Sequence, residues 1–449
     1  MEKAITILDH LQFDCPTAQQ RVALLAMSEF VKETNKDDFY IMCGAAGTGK
    51  TSITTALIGH LNAKAIHYKI AAPTGRAARI LGRKSKTVNS TIHSLIYNTK
   101  PNPETGEVVF SLKENSIKEL SIYIIDEASM VASTIHKEEG SMFTSKNSLL
   151  SDLIRFVKNG NQDNKIIFLG DKNQLPPINE TDSKALCAEY LQAKYQLIGT
   201  AHLLTEVKRQ EDGSYILKNA VAIREGIDAN LPKVNLQGIE KKSVSQASSD
   251  YVKEYLNNGF ESVVSIGTTH KMNKMFNNII REKLYGNKTN TIEPNELLLI
   301  TSTWRRNDFQ LYSGDHVTVM EVNCNETEMV AGLHFVPVKL SSKSLQGTEE
   351  IIEDYILLES ILNPEGLKPE QENRLRHERF AKNKVYRETA NASDDRYIGA
   401  IRATYGHSIT CNKAQGGEWD KVFMNSFFIP SLKYQYTAVT RAKRALVLY

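Results

Sequence analysis

The segment Gly44-Ala-Ala-Gly-Thr-Gly-Lys50-Thr51 constrains this chain more than any other. It follows an apolar run, Phe39–Cys43, that reads as a buried strand. It precedes Ser52–Leu61, whose Ile53, Ala56, Leu57 and Leu61 share one helical face. A strand, a glycine loop and a helix in that order make a phosphate cradle. Gly44, Gly47 and Gly49 let the backbone N–H groups, Thr48 among them, close around an anion, and the helix N-terminus adds a favourable dipole. Lys50 then reaches the β- and γ-phosphates, and Thr51 holds Mg²⁺.

A second segment completes the chemistry. Ile122-Tyr-Ile-Ile-Asp126-Glu127 is an apolar strand that delivers two carboxylates at its end. Asp126 suits Mg²⁺, directly or through water, and Glu127 suits the orientation or deprotonation of an attacking water. Together the two segments read as a P-loop ATPase. A small-molecule kinase carries similar loops, so the rest of the chain has to decide.

The 449 residues suggest two to four compact units, and 41% hydrophobic with 24% charged residues is an ordinary globular balance. A net charge of +3 is too small to mark a nucleic-acid binder, so any such contact must come from local clustering. The five cysteines are far apart and include no Cys-x-x-Cys pair, which fits neither a disulfide framework nor a zinc site. The N-terminal MEKAITILDHLQFDC has no long apolar run after a basic start, and no segment has the apolar length of a membrane span. These features set the expectation of a soluble cytoplasmic protein with no membrane partner.

Further strands are expected at Ile66–Ala71 and Ile166–Leu169, alternating with helical stretches as in a parallel sheet covered by helices. The grammar then repeats, with strands at Ser262–Ile266, Lys421–Asn425 and Ala445–Tyr449 and a helix over Lys271–Leu284. Residues 301–399 differ. Asp315–Val322, His334–Leu340 and Ile351–Leu358 are β-like, and the charged stretch Lys368–Arg387 suits a solvated helix.

Several blocks, in order from Thr17 to the C-terminus, resemble the superfamily 1B DNA helicases of the RecD-like and Dda-like branch. Thr17-Ala-Gln-Gln20 resembles the adenine-reading Q motif, and a Gln20 amide has the donor and acceptor that an adenine edge requires. Ala72-Pro73-Thr74-Gly-Arg76 resembles motif Ia, with Thr91-Ile-His93 following it. Leu169-Gly-Asp171-Lys-Asn-Gln174 resembles motif III, where Gln174 senses the γ-phosphate. Leu204-Thr-Glu-Val-Lys-Arg209 and Tyr436-Thr-Ala-Val-Thr440-Arg441 resemble motifs IV and VI, each with an arginine finger. A kinase has no need of two arginines so far from its phosphate loop. Thr410-Cys-Asn412-Lys413-Ala-Gln415-Gly416-Gly-Glu418 resembles motif V, with Asn412 where many relatives carry histidine.

The resemblance implies an α/β chain with two RecA-like P-loop domains in tandem, a β-hairpin pin insertion and an SH3-like β insertion. The expected segments are 1–92 and 118–205 for motor domain 1A, 93–117 for the pin, 206–300 and 400–449 for 2A, and 301–399 for 2B. Lys50, Asp126, Glu127, Gln174, Arg209 and Arg441 would serve catalysis. Gln20, Gly44, Gly47, Thr48, Gly49, Lys50, Thr51, Gly416 and Glu418 would bind ATP, with Thr51 and Asp126 on Mg²⁺. Pro73, Thr74, Thr91, His93, Thr410, Asn412 and Lys413 would touch DNA, and Phe110 would be the pin's stacking aromatic. In the insertion, Trp304 with Arg305 and Arg306 suits either base stacking or a buried anchor. The implied activity is that of a monomeric ATP-dependent helicase moving 5′-to-3′ on single-stranded DNA and opening junctions. The rival readings are a translocase that unwinds little and a nucleotide-gated binding module.

Overall fold

The computed structural model describes residues 6–12, 15–85, 90–101, 108–135, 143–144, 146–206, 214–288, 291–306, 309–343, 348–363, 365–389 and 391–449. Arg209 and the central part of the expected pin, 102–107, lie outside the described residues. The chain forms two compact units. One comprises Met1–Asn98, Phe110–His136 and Ser145–Ser214; the other comprises Thr99–Val109, Lys137–Thr144 and Tyr215–Tyr449.

The chain begins with α1 (Ala18–Phe30), β1 (Phe39–Gly44), α2 (Lys50–Ala63), β2 (His67–Ala72) and α3 (Gly75–Ser85). There follow β3 (Ser90–Thr91), α4 (Ile92–Ile96), β4 (Tyr97–Pro101), β5 (Val108–Leu112), β6 (Ser121–Ile125) and β7 (Phe143–Thr144). The first half closes with α5 (Leu149–Gly160), β8 (Lys165–Gly170), α6 (Ala188–Tyr195) and β9 (Gly199–Leu204). Six of these strands form a parallel sheet in the order β3-β2-β6-β8-β1-β9.

The apolar runs are continuous because both faces of this sheet are buried. Along β1, Phe39, Ile41 and Cys43 join one core while Tyr40 and Met42 join the other. The same alternation runs through β6, with Tyr123 and Ile125 on one side and Ile122 and Ile124 on the other. Helices α4 and α5 cover the first face through Ile92, Ile96, Leu150 and Leu153. Helices α1 and α2 cover the second through Leu24, Met27, Ile53 and Leu57.

The second half continues with α7 (Tyr215–Asp228), β10 (Glu240–Lys241), α8 (Val244–Asn258), β11 (Val263–Gly267), α9 (His270–Tyr285) and β12 (Leu297–Ile300). Next come β13 (Trp304–Arg306), β14 (Phe309–Leu311), β15 (His316–Val322), β16 (Glu328–Val330), β17 (Leu333–Lys343) and β18 (Glu349–Leu357). Helices α10 (Leu358–Leu362), α11 (Pro369–Lys382) and α12 (Lys384–Thr389) lead to β19 (Ala403–Tyr405), β20 (Ser408–Thr410) and α13 (Cys411–Ala414). The chain closes with β21 (Trp419–Met424), α14 (Leu432–Val439) and β22 (Ala442–Leu448).

A second parallel sheet, β10-β22-β21-β11-β20, is thus built from two pieces of chain far apart in sequence. Between them lies an antiparallel sheet in the order β16-β17-β15-β12-β19, with β18 also on β17. This sheet takes in Leu297–Ile300 and Ala403–Tyr405, just outside the 301–399 segment that composition marks off. The reason is pairing: β12 hydrogen-bonds to both β15 and β19, which no local pattern announces.

Two buried side-chain contacts anchor these elements. Trp304 is buried, and its indole N–H donates to Asp354 Oδ2 at 2.9 Å, so it is an anchor and not a base-stacking ring. A buried ion pair, Arg281 Nε to Glu296 Oε1 at 2.6 Å, ties α9 to the turn before β12.

Candidate nucleotide site and nucleic-acid interface

The register of the first sheet brings its chemistry to one edge. Cys43 lies opposite Gly170, and Ile125 lies two β8 residues short of that level, opposite Phe168. The loops that carry Lys50, Asp126 and Gln174 therefore leave three adjacent strands, β1, β6 and β8, at their carboxyl ends. That edge is where ligands bind in such sheets.

The glycine loop has the conformation that its sequence requires. Gly47 and Gly49 have φ of 82° and 85°, which an L side chain adopts only with strain. A Cβ on Gly44 would stand 2.5 Å from Thr48 Oγ1. Lys50 Nζ donates to Gly44 O at 2.6 Å and Ala45 O at 3.1 Å, which holds the ammonium over the loop. Thr51 sits half-buried in the first turn of α2.

Gln20 is buried and braces this loop. Its Nε2 donates to Thr48 O at 2.9 Å, and its Oε1 accepts from Thr17 N at 2.9 Å in a reciprocal cap of α1. One N–H and one lone pair of the amide remain for a base. Its neighbour Gln19, which the sequence reading passed over, holds the end of β9. Gln19 Oε1 accepts from Thr205 N at 2.7 Å, and Nε2 donates to Thr205 Oγ1 at 2.9 Å.

Asp126 and Glu127 stand where β6 ends. Asp126 Oδ1 accepts from Glu127 N at 2.9 Å. Glu127 has a φ of 50°, a left-handed conformation that costs a non-glycine residue on the order of 1–3 kcal/mol. Its Oε2 is buried with no hydrogen-bond partner. Across the edge, Asp171 Oδ1 accepts from Asn173 N at 3.0 Å, shaping the turn that carries Gln174. Gln174 is likewise buried, and its Oε1 has no partner. Both oxygens are open to donors from a ligand at this edge. Beside them burial, reinforced by Asp171, pushes the Cys43 thiol up to about 12, so Cys43 is a neutral core residue.

Two of the expected nucleic-acid residues of this unit, Thr74 and Thr91, cap helices. Thr74 Oγ1 accepts from Ala77 N at 3.2 Å at the start of α3, beside half-buried Pro73. Thr91 Oγ1 accepts from Ser94 N at 3.1 Å at the start of α4. His93 is solvent-accessible but recessed, and desolvation lowers its pKa. Its ring lies 5.7 Å from both Tyr97 and Phe110. Phe110 is half-buried, 5.0 Å from the Tyr97 ring, and packs on the core. Packing thus holds part of the ring that the resemblance gives to base stacking.

In the second unit, Thr410 caps α13, its Oγ1 accepting from Lys413 N at 3.4 Å. Lys413 Nζ donates to Ser313 Oγ at 2.7 Å, and desolvation lowers its pKa. Both line a cavity of about 40 Å³ together with His270, Asn273, Lys274 and Thr301. Asn273 is buried, with Oδ1 accepting from Ser408 Oγ at 2.8 Å and Nδ2 without a partner. The sequence reading missed His270, Asn273 and Lys274. The available signal was Thr269 before a helical run, and it does cap α9. Asn412 is half-buried on α13.

Gly416, with a φ of 75°, and half-buried Glu418 turn the chain into β21. Arg441 is buried and turned onto its own unit. It donates to Thr437 O at 3.0 Å, Gly417 O at 3.1 Å and Thr440 Oγ1 at 3.2 Å. The guanidinium thereby ties the turn after α13 to the end of α14. Among the described residues, no helix is long and apolar enough to cross a membrane.

Comparison with known proteins agrees with this geometry. Residues 18–241 match the AAA domain family, and residues 405–449 match the UvrD-like helicase C-terminal domain. The chain is 28% identical over 332 residues to the ATP-dependent DNA helicase dda of Enterobacteria phage T4, covering 71% of this chain and 68% of that one. It is 30% identical over 200 residues to the RecBCD enzyme subunit RecD of Buchnera aphidicola subsp. Schizaphis graminum, covering 40% of this chain but only 29% of RecD. A Pif1 helicase from Bacteroides, solved with ADP-AlF3 and ssDNA, shares the fold over 97% of this chain and 92% of its own, with a TM-score of 0.50 at 15% identity. Tandem parallel sheets, the nucleotide edge of the first and matches at both ends of the chain place this protein in the superfamily 1B helicases, in the RecD-like and Dda-like branch.

Proposed function

We propose that this chain is an ATP-dependent DNA helicase that translocates 5′-to-3′ along single-stranded DNA as a monomer and opens the duplex at junctions. The observation that carries the reading is the edge shared by β1, β6 and β8, where Lys50, Asp126, Glu127 and Gln174 converge and two buried oxygens have no partner. The glycine loop and Lys50 bind the phosphates, Glu127 orients or deprotonates the attacking water, and Gln174 reports the γ-phosphate. Gln20 keeps one N–H and one lone pair for adenine while bracing the loop, and the resemblance assigns Gly416 and Glu418 to the nucleotide as well. Thr51 and Asp126 offer the hard oxygen donors that Mg²⁺ prefers, and the ion would neutralise phosphate charge there. The resemblance assigns Arg209 and Arg441 to the charge of the transferred phosphoryl group, a role for which Arg441 has to leave Thr437 O, Gly417 O and Thr440 Oγ1.

Pro73, Thr74, Thr91 and His93 in one unit, and Thr410, Asn412 and Lys413 in the other, hold the strand by its backbone. The donors around the second unit's cavity suit a phosphate. Phe110 meets a base through the part of its ring that packing leaves open. The 5′-to-3′ direction rests on the family resemblance alone.

The test is unwinding of duplexes with either a 5′ or a 3′ single-stranded tail, with ATP and with Lys50→Ala as control. Unwinding from the 5′ tail alone, lost in the variant, is the expected result. Unwinding from the 3′ tail alone refutes the direction. DNA-stimulated ATPase without unwinding from either tail refutes the helicase reading in favour of a translocase.

A further inference from the structure

We propose that Phe427, backed by Phe428, is a stacking platform for a nucleobase of the bound strand on the second unit. The inference rests on the DNA-binding reading above and adds a contact that no motif assigns.

Phe427 is 87% exposed and Phe428 54%, adjacent rings in the connection between β21 and α14. Scattered exposed apolar residues need no explanation, but a neighbouring pair on a fixed backbone does. This backbone is pinned at successive positions. Asn425 N donates to Ile266 O at 2.9 Å, Ser426 N to Tyr449 O at 2.9 Å, and Phe427 N to Asn425 Oδ1 at 3.0 Å. Phe428 O accepts from Thr268 Oγ1 at 2.7 Å. The rings are held out to solvent by a structured loop.

The choice of occupant follows from what lies alongside. Thr268 is followed directly by Thr269, the cap of α9, and by His270, which lines the cavity with Lys274, Lys413 and the unpartnered Asn273 Nδ2. In the sheet, β11 lies between β21 and β20. Thr268, which donates to Phe428 O, is one residue past Gly267, and Gly267 lies opposite Thr410 in the register of β11 and β20. The cationic and amide donors of that cavity, and a bare aromatic face on the loop hydrogen-bonded to the lead-in of α9, match the alternating phosphate and base of one strand. Stacking tolerates any base, as a translocating motor requires.

The test titrates the parent, Phe427→Ala and Phe427→Trp against two fluorescent oligonucleotides of equal length. One is oligo-dT and the other carries abasic sites throughout. The expected result is that Phe427→Ala binds oligo-dT roughly tenfold more weakly, binds the abasic strand as the parent does, and is rescued by tryptophan. Undiminished binding to oligo-dT overturns the proposal and leaves the pair to a protein partner. Equal weakening on both strands also overturns it, because the loss is then not a base contact. A parent that binds neither strand removes the DNA-binding reading itself, which the same titration reads first.

Discussion

Gly49 is the position where local conformation and a long-range contact can be weighed separately. Its φ of 85° costs an alanine about 1–2 kcal/mol. A Cβ there would also stand 2.9 Å from Gln20 Nε2, the atom that donates to Thr48 O. Displacing that amide forfeits a buried hydrogen bond worth about 0.5–1.5 kcal/mol. Gly49→Ala is therefore expected to destabilise the first unit by about 2–3 kcal/mol, moving its urea midpoint by about 1 M. Gln20→Ala removes the same bond and the reciprocal cap of α1. The double variant should accordingly fall short of the sum of the two losses by about 1 kcal/mol. Far-UV circular dichroism follows the unfolding. Both tryptophans, Trp304 and Trp419, belong to the second unit, so their fluorescence reports that unit separately and its midpoint should stay put. Strict additivity of the two substitutions would refute the argument, since it would mean that the added methyl group never meets the Gln20 amide.

Three further outcomes are expected. Glu127→Gln should lower the ATPase kcat by about 10²–10⁴-fold with nucleotide binding retained; single-turnover hydrolysis beside nucleotide titration checks it. Arg281→Met strands the buried Glu296 carboxylate and should cost about 3–5 kcal/mol, read from the tryptophan-monitored unfolding of the second unit. Burial, aided by the charge of Arg281, lowers the pKa of His407 to about 3. The unfolded state therefore takes up a proton on this residue at higher pH than the native state does. Its contribution to stability is complete above about pH 6.5 and is lost as pH falls toward 3, at up to about 1.4 kcal/mol per pH unit. His407→Gln should flatten the acid limb of a stability–pH curve recorded by tryptophan fluorescence.

The sequence by itself determined the features that arise from neighbours along the chain. The glycine loop needs left-handed backbone at Gly47 and Gly49, and the apolar runs of β1, β6 and β8 need burial on both faces. Those requirements are written into a few consecutive residues, so both the parallel sheet and its phosphate loop could be read in advance. Ordered blocks across the chain likewise carried the family resemblance.

Only the tertiary structure decided which distant groups share a hydrogen bond. Asp354, fifty residues on, turned Trp304 into an anchor. Tyr97 and the first core took part of the Phe110 ring, and Thr437 and Gly417 took the Arg441 guanidinium. Pairing of β12 with β19 set the extent of the antiparallel sheet, and Ser408 with the motif V helix turned His270, Asn273 and Lys274 into cavity lining. Buried donors and acceptors must be satisfied wherever the fold brings them, and local sequence does not encode the partner.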